Sequence, residues 1–221
     1  MAKKVVIFGT SDIAEIAHFY FLNDSDHDIV AFTVDEAYLD RQSFQGLPVV
    51  PFEDIQASYP PSEYCLFVAL SYSKINQIRR DKFEAGLNMG YDLVSYVSSK
   101  ATVLNPKSIG RNCFILENNT IQPFSTIGDN VTLWSGNHIG HHSVVSSHTF
   151  VSSHVVISGG VTIGEQCFIG VNATLRDHIT VGSRCVIGAG SLILSDVADN
   201  GVYVGEETER SRVPSHRLRS I

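Results

Sequence analysis

Val145-Ser-Ser-His-Thr-Phe-Val151-Ser-Ser-His-Val-Val-Ile157-Ser-Gly-Gly-Val-Thr-Ile163 carries one aliphatic residue at every sixth position. The rhythm extends both ways from there. It begins Val97, Val103, Ile109, Ile115, Ile121, Ile127, Leu133, Ile139 and ends Ile169, Leu175, Val181, Ile187, Ile193, seventeen hits without a slip. A helix repeats at 3.6 residues and a half-buried strand at 2, so neither produces an uninterrupted six. A hexapeptide repeat is the signature of a parallel β-helix. Each unit supplies one flat face, and three faces close an 18-residue triangular coil with the aliphatic residue inside. The run from 97 to 197 then holds five to six coils, roughly 25–30 Å of prism at strand spacing.

Residues 18 apart fall in one column. Cys113, Cys167 and Cys185 share a column, and they read as small buried hydrophobes. The fourth cysteine is Cys65, and no CxxC pair occurs, which argues against a zinc ribbon or a redox motif.

Upstream the grammar differs. Val5–Phe8, Ile29–Val34 and Tyr64–Leu70 are short apolar runs suited to buried parallel strands, with Leu47–Val50 a shorter extended piece. Ile13, Ala14, Ile16, Ala17 and Tyr20 recur at helical spacing, and Phe52–Ala57 predicts a short helix. Ile75–Gly86 predicts a longer one, with Arg79, Arg80 and Lys82 on its exposed side. Leu93–Val97 is a last strand. Strand–helix alternation implies a small parallel α/β sheet. The expected division is 1–96 as an α/β domain, 97–200 as the β-helix, and 201–221 as a terminal strand and basic tail with Arg210, Arg212, Arg217 and Arg219.

Composition narrows the function. The 221 residues are 43% hydrophobic and 18% charged, an ordinary folded mixture. Sixteen basic against 23 acidic residues give a net charge of −7, which argues against nucleic-acid binding. No apolar run reaches the length of a membrane span. The N-terminus lacks the pattern of a secretory leader, so a cytoplasmic protein is expected.

The arrangement resembles the bacterial sugar O/N-acyltransferases of glycan biosynthesis, including that of lipopolysaccharide or capsule. The residues that carry the likeness are the Val5–Ala14 strand–turn–helix, the repeats, Asn137-His-Ile-Gly-His-His-Ser143, Ile169-Gly-Val-Asn-Ala173 and Val186-Ile-Gly-Ala-Gly-Ser191. The resemblance implies a Rossmann-like domain followed by a left-handed β-helix, a homotrimer, and acyl transfer from acetyl-CoA without a metal. The acceptor it implies is a nucleotide-linked amino sugar. O-acetylation of a sugar or sialic acid is the alternative, and a zinc β-helix protein of carbonic-anhydrase type a more distant one.

Five of the nine histidines lie between 138 and 154: His138, His141, His142, His148 and His154. An imidazole titrates near neutrality and suits a general base. His141 matches the family's base position, and one coil later it should meet Gly159 while His142 meets Gly160, opening a cleft. Some relatives carry a carboxylate after the base. Here that place is His142, which should not do a carboxylate's work, so the orienting group falls to Glu117, Asn118 or Asn137. The likeness also points to Phe150, where relatives carry a histidine near the thioester, with His148 or His154 as substitutes. Gly159 and Gly170 are expected to offer backbone N–H groups to the thioester oxygen. His142, His148 and His154 look like a metal cluster, but a spacing of six sends them to different parts of the coil.

The turn Gly9-Thr10-Ser11-Asp12-Ile13 follows a strand and opens a helix, the setting for a phosphate at a helix N-terminus. It lacks the later glycines of a dinucleotide fingerprint, so NAD is not expected. In the family this domain holds the nucleotide sugar, with Asp35 at the end of the second strand placed to contact base or ribose.

Overall fold

The computed structural model describes residues 2–217. The first part is a five-stranded sheet: β1 (Lys4–Phe8), β2 (Asp28–Val34), β3 (Ser43–Phe44), β4 (Leu47–Pro51) and β5 (Tyr64–Val68). Their order is β3-β4-β2-β1-β5, parallel except for the β3–β4 hairpin. Helices α1 (Asp12–Asp24), α2 (Ile55–Ser58) and α3 (Gln77–Asn88) complete it. Val5 and Ile7 pack with Ala14, Ala17 and Phe21 of α1, whereas Val6 and Phe8 pack with Ile55 and Phe83. Both faces of the sheet are buried, which is why Val5–Phe8 of β1 is an unbroken apolar run.

The expected strand at Leu93–Val97 is divided. Leu93 makes a lone bridge to Leu66, while Tyr96–Val97 already pairs with Phe114–Ile115 in the prism. Three parallel sheets form the prism walls. The seven-stranded wall runs from Tyr96–Val97 to Val202–Tyr203, and the six-stranded wall from Thr102–Val103 to Leu192–Ile193. The four-stranded wall runs from Thr126–Ile127 to Thr180–Val181. Each strand pairs with the one 18 residues on, as in Thr132↔Phe150↔Phe168, except that the last, Val202–Tyr203, lies 16 residues after its partner Val186–Ile187. Every repeat residue from Ile115 to Ile193 is buried in one core, each stabilising the fold by about 1.5–3 kcal/mol through burial. The column cysteines Cys113, Cys167 and Cys185 are inside it. Burial pushes the Cys113 and Cys167 thiols up to about 12, so neither is a nucleophile.

The corners explain the rest of the repeat. Asn112, Asn130, His142, His148, His154, Gln166, Asn172 and His178 all have φ between 51° and 63°. This left-handed conformation is rare for residues with a side chain, and Asn and His are enriched there. Three of the clustered histidines are thus corner residues.

The seven-stranded wall is covered by the α/β part. Phe114 packs with Phe67 and Tyr20, and Tyr96 with Phe21. The Asn112 side chain bonds the N–H of Val68, and Asn76 donates to the Cys167 carbonyl. Arg79, expected on the exposed side of α3, is 1% exposed. It falls on the stripe of Phe83 and Gly86, and that stripe faces inward because α3 is wedged between its own sheet and the prism. Its guanidinium donates to Thr132 Oγ1, Asn76 Oδ1 and the Thr149 carbonyl, and lies over the Phe150 ring. Burial pushes it down to about 10.

Beyond Val202–Tyr203 the chain to Arg217 is exposed except for half-buried Gly205. Arg219 of the expected basic tail lies outside the described residues. Among the described residues no helix is long and apolar enough to cross a membrane.

Candidate active site

Two places gather the residues singled out by sequence. The first is the corner Gly140–Ser143 between the six- and four-stranded walls. Gly140 is packed so tightly beneath the next coil that a Cβ would stand 2.5 Å from the Gly159 nitrogen. The chain therefore runs flat there and presents His141 outward. The Gln122 side-chain oxygen accepts the His141 backbone N–H at 2.9 Å. The ring rises to the next coil, with its Cε1–Nε2 edge over Gly159, as the column map expects. His142 turns the other way. Its ring packs on Phe124, centroids 4.7 Å apart, and the space over Gly160 is taken by His178. The expected meeting of His142 with Gly160 is not found, because a left-handed corner residue leans toward the coil before it. The Nδ1 atoms of His141 and His142 stand 3.1 Å apart.

None of the three expected orienting groups reaches His141 within the chain. Asn118 and Asn137 lie on a different corner, between the seven- and six-stranded walls. Asn137 is committed to the Trp134 carbonyl and the Val155 N–H. Glu117 accepts from Tyr20 at 2.6 Å and from Ser135 at 2.7 Å. Burial alone would raise its carboxyl, but these two bonds outweigh it and hold it below the usual range.

His148 and Phe150 are also elsewhere, under the α/β part. His148 is 8% exposed, meets the Phe83 ring edge-on and bonds Asn130. Burial, then the charges of Arg80 and Arg79, push it below the ordinary imidazole value. Phe150 is stacked on Phe168 beneath Tyr72. His154 sits on the same corner as Asn118 and Asn137, between the seven- and six-stranded walls, its ring over Gly136. The Gly170 N–H donates to the Ile187 carbonyl at 2.7 Å, so it belongs to the coil ladder and is not free for a thioester oxygen.

The second place is a pocket of about 270 Å³ at the carboxyl ends of β1 and β2. Gly9, Thr10, Ser11 and Asp35 line it, together with Tyr38 and Lys82. Gly9 has φ 121°, and a Cβ there would stand 2.8 Å from the Ala69 carbonyl oxygen, so only glycine fits. Ser11 makes no side-chain bond to the start of α1, which leaves its hydroxyl and the helix terminus facing solvent. Lys82 pairs with Asp35 and lies over the Phe8 and Phe52 rings, at 5.4 and 5.5 Å. Asp12 is exposed beside the pocket, and Ile13 lines a separate apolar recess of about 190 Å³ with Tyr72, Trp134 and Phe150. Lys82 was missed as a site residue. Its spacing of four from Ile78, which also lines the pocket, is the signal that could have found it.

A family model for the bacterial transferase hexapeptide (six repeats) matches residues 106–141 and 160–195. The acetyltransferase domain of PglB from Neisseria gonorrhoeae is similar over 92% of this chain and 97% of its own, with 25% identity and TM-score 0.81. The same domain with acetyl coenzyme A matches over 93% and 97%, with 23% identity and TM-score 0.78. PerB from Caulobacter crescentus, in complex with CoA and GDP-perosamine, matches over 91% and 94%, with 23% identity and TM-score 0.78. The resemblance read from the sequence is borne out. The two-part fold, an α/β region followed by a left-handed hexapeptide β-helix, is that of sugar acetyltransferases.

Proposed function

We propose that the chain is an acetyl-CoA-dependent N-acetyltransferase that acts on a nucleotide-linked amino sugar, with His141 as general base. The observation that carries this reading is the His141 ring edge held over a side-chain-free Gly159, in a hexapeptide prism joined to an α/β domain with its own pocket. Transferase neighbours bind the expected partners: CoA and GDP-perosamine for the Caulobacter protein, acetyl coenzyme A for the Neisseria domain.

The sugar amine attacks the thioester carbonyl carbon, forming the C–N bond. Charge builds on the carbonyl oxygen, to which the Gly159 N–H is suited to donate a hydrogen bond. His141 Nε2 takes the amine proton as the nitrogen becomes cationic. Collapse breaks the C–S bond, and the proton passes to the departing thiolate, giving an amide and coenzyme A. The buried column thiols leave no acyl-enzyme route through cysteine. The nucleotide lies in the Gly9–Lys82 pocket. Its phosphates face the open start of α1 and the Lys82 ammonium, and its base or ribose faces Asp35. Closed cyclic symmetry suits such a prism, and the working form is a homotrimer of about 73 kDa (three times 24.2 kDa) in the cytoplasm.

The test supplies acetyl-CoA with GDP-perosamine and a panel of other nucleotide amino sugars, and measures free thiol. Release with an amino sugar, an amide product by mass and NMR, and no release with the matching hydroxy sugar support the reading. An ester product moves the enzyme to O-acetylation. No thiol release across the panel overturns both.

A further inference from the structure

The sequence denies His141 a neighbouring carboxylate, and among the described residues none bonds its ring. What it brings is a second imidazole. The His141 and His142 Nδ1 atoms are 3.1 Å apart with the rings at 85°, so each nitrogen points at the other. At that distance one proton must lie between them. Two protons would clash, and none would set two lone pairs face to face. We propose that neutral His142 is the positioning residue of His141: its Nδ1 accepts the His141 Nδ1–H and so keeps the lone pair of His141 on Nε2. This inference rests on the base assigned to His141 above.

The direction matters because a neutral histidine left to itself in water favours the Nε2–H form. That form would aim a proton, rather than a lone pair, at the space over Gly159. The nitrogen that carries the proton is set by what the other nitrogen bonds. An acceptor on the Nδ1 side is therefore needed for His141 to work as a base.

The surroundings fix His142 for that task. Its backbone is left-handed, with φ 58°, and its N–H donates to the Pro123 carbonyl. Its ring lies against Phe124 at an interplanar angle of 33°. These contacts aim Nδ1 sideways at its neighbour and leave Nε2–H to solvent. When His141 takes the substrate proton, the same Nδ1–H bond becomes charge-assisted, so it strengthens as the reaction advances. A neutral imidazole thus does part of what a carboxylate does, without adding a negative charge beside the acceptor.

The experiment labels the histidines of the full-length protein with ¹⁵N and reads ring protonation at pH 8.5, above the ordinary imidazole value. Two variants suit the left-handed corner: His142→Gly, which removes the ring without strain, and His142→Asp, which returns an acceptor. The wild type should show His141 protonated on Nδ1 and bare on Nε2. In His142→Gly, His141 should shift to the Nε2–H form. The kcat should fall by about tenfold or more, in line with the cost of losing a group that holds a working imidazole, with little change in the KM for acetyl-CoA. His142→Asp should restore both the tautomer and most of the rate. A wild-type His141 carrying its proton on Nε2, or a tautomer unmoved in His142→Gly, overturns the proposal, as does an undiminished kcat in that variant. The expected tautomers with no acetyl transfer by any form would support the ring pairing and sink the transferase reading instead.

Discussion

Gly159 stands where the His141 ring needs room: a Cβ at Gly159 would lie 2.7 Å from both Cε1 and Nε2 of that ring. The atom in the way belongs to an exposed side chain that can swing aside, so the fold should absorb a methyl group. The working edge of His141 should not. Gly159→Ala is expected to keep its melting temperature within a few degrees while kcat falls by about tenfold or more, since small misplacements of a reacting group are costly. Equal losses of stability and rate would make Gly159 a packing residue only.

His141→Asn keeps a polar side chain and removes the proton acceptor. General bases contribute about 10²–10⁴ in rate, and a loss in that range is expected. An amine sheds its own proton as pH rises, so the variant should recover toward pH 10. Rates measured from pH 6 to 10 check this. A loss below about threefold, against those decades, would leave binding and orientation to carry the reaction.

Asp35 and Lys82 form one pair on the pocket wall, and each should be felt in binding. Asp35→Ala and Lys82→Ala are expected to raise the KM for the nucleotide sugar with little change in kcat, the mark of lost uniform binding. The KM for acetyl-CoA should stay the same. Steady-state kinetics with both substrates varied reads the two constants separately, and an unchanged sugar KM would move the nucleotide elsewhere.

Asp24 ties α1 to the first coil. Its Oδ2 accepts from the Ser99 N–H, Tyr96 Oη and Ser98 Oγ. The bonds from Ser99 and Tyr96 hold its carboxyl at about 2, against an ordinary 3.8. A depressed folded value means that this stability is complete above pH 3.8 and drains away as pH falls toward 2. After allowance for solvent screening it amounts to about 1–2 kcal/mol. Denaturant melts should therefore find Asp24→Ala less stable by that amount at pH 7, with the gap to wild type closing by pH 2. A gap that persists at pH 2 would assign the loss to packing.

The prism was legible because one residue in six must be aliphatic for the core to close, and nothing in Val97–Ile193 interrupts that demand. The α/β topology was legible for a similar reason, since buried strands such as Val5–Phe8 have no polar face to confuse the pattern. Arg79 was not legible. Periodicity reports which stripe of α3 is buried by apolar side chains, and a guanidinium on that stripe reads as solvent-facing until Thr132 and Thr149 come into view. The histidines misled in an instructive way. His142, His148 and His154 answer a backbone demand for a left-handed corner, so their density overstated the chemistry. His141 stood apart only by its match to a family motif and by the glycine one coil on. The partnership of His141 with His142 depends on which way each ring leans, and a column map does not hold that information.

The prism carries two rhythms with different tolerances. A change of six residues leaves every inward position aliphatic, yet it turns all that follows by one wall. Only a change of eighteen returns each side chain to its own column. The α/β part reads the longer rhythm, because Phe114, Thr132, Phe150 and Phe168 meet it down a single wall. Strength therefore resides in the hexad and address in the full coil. The contacts along this seam reach as far as Phe168, which packs against Tyr72. Beyond it, whole coils could be added or removed, each about 4.8 Å of prism, without shifting His141 against the pocket at Gly9. Below it, the length of the chain is fixed.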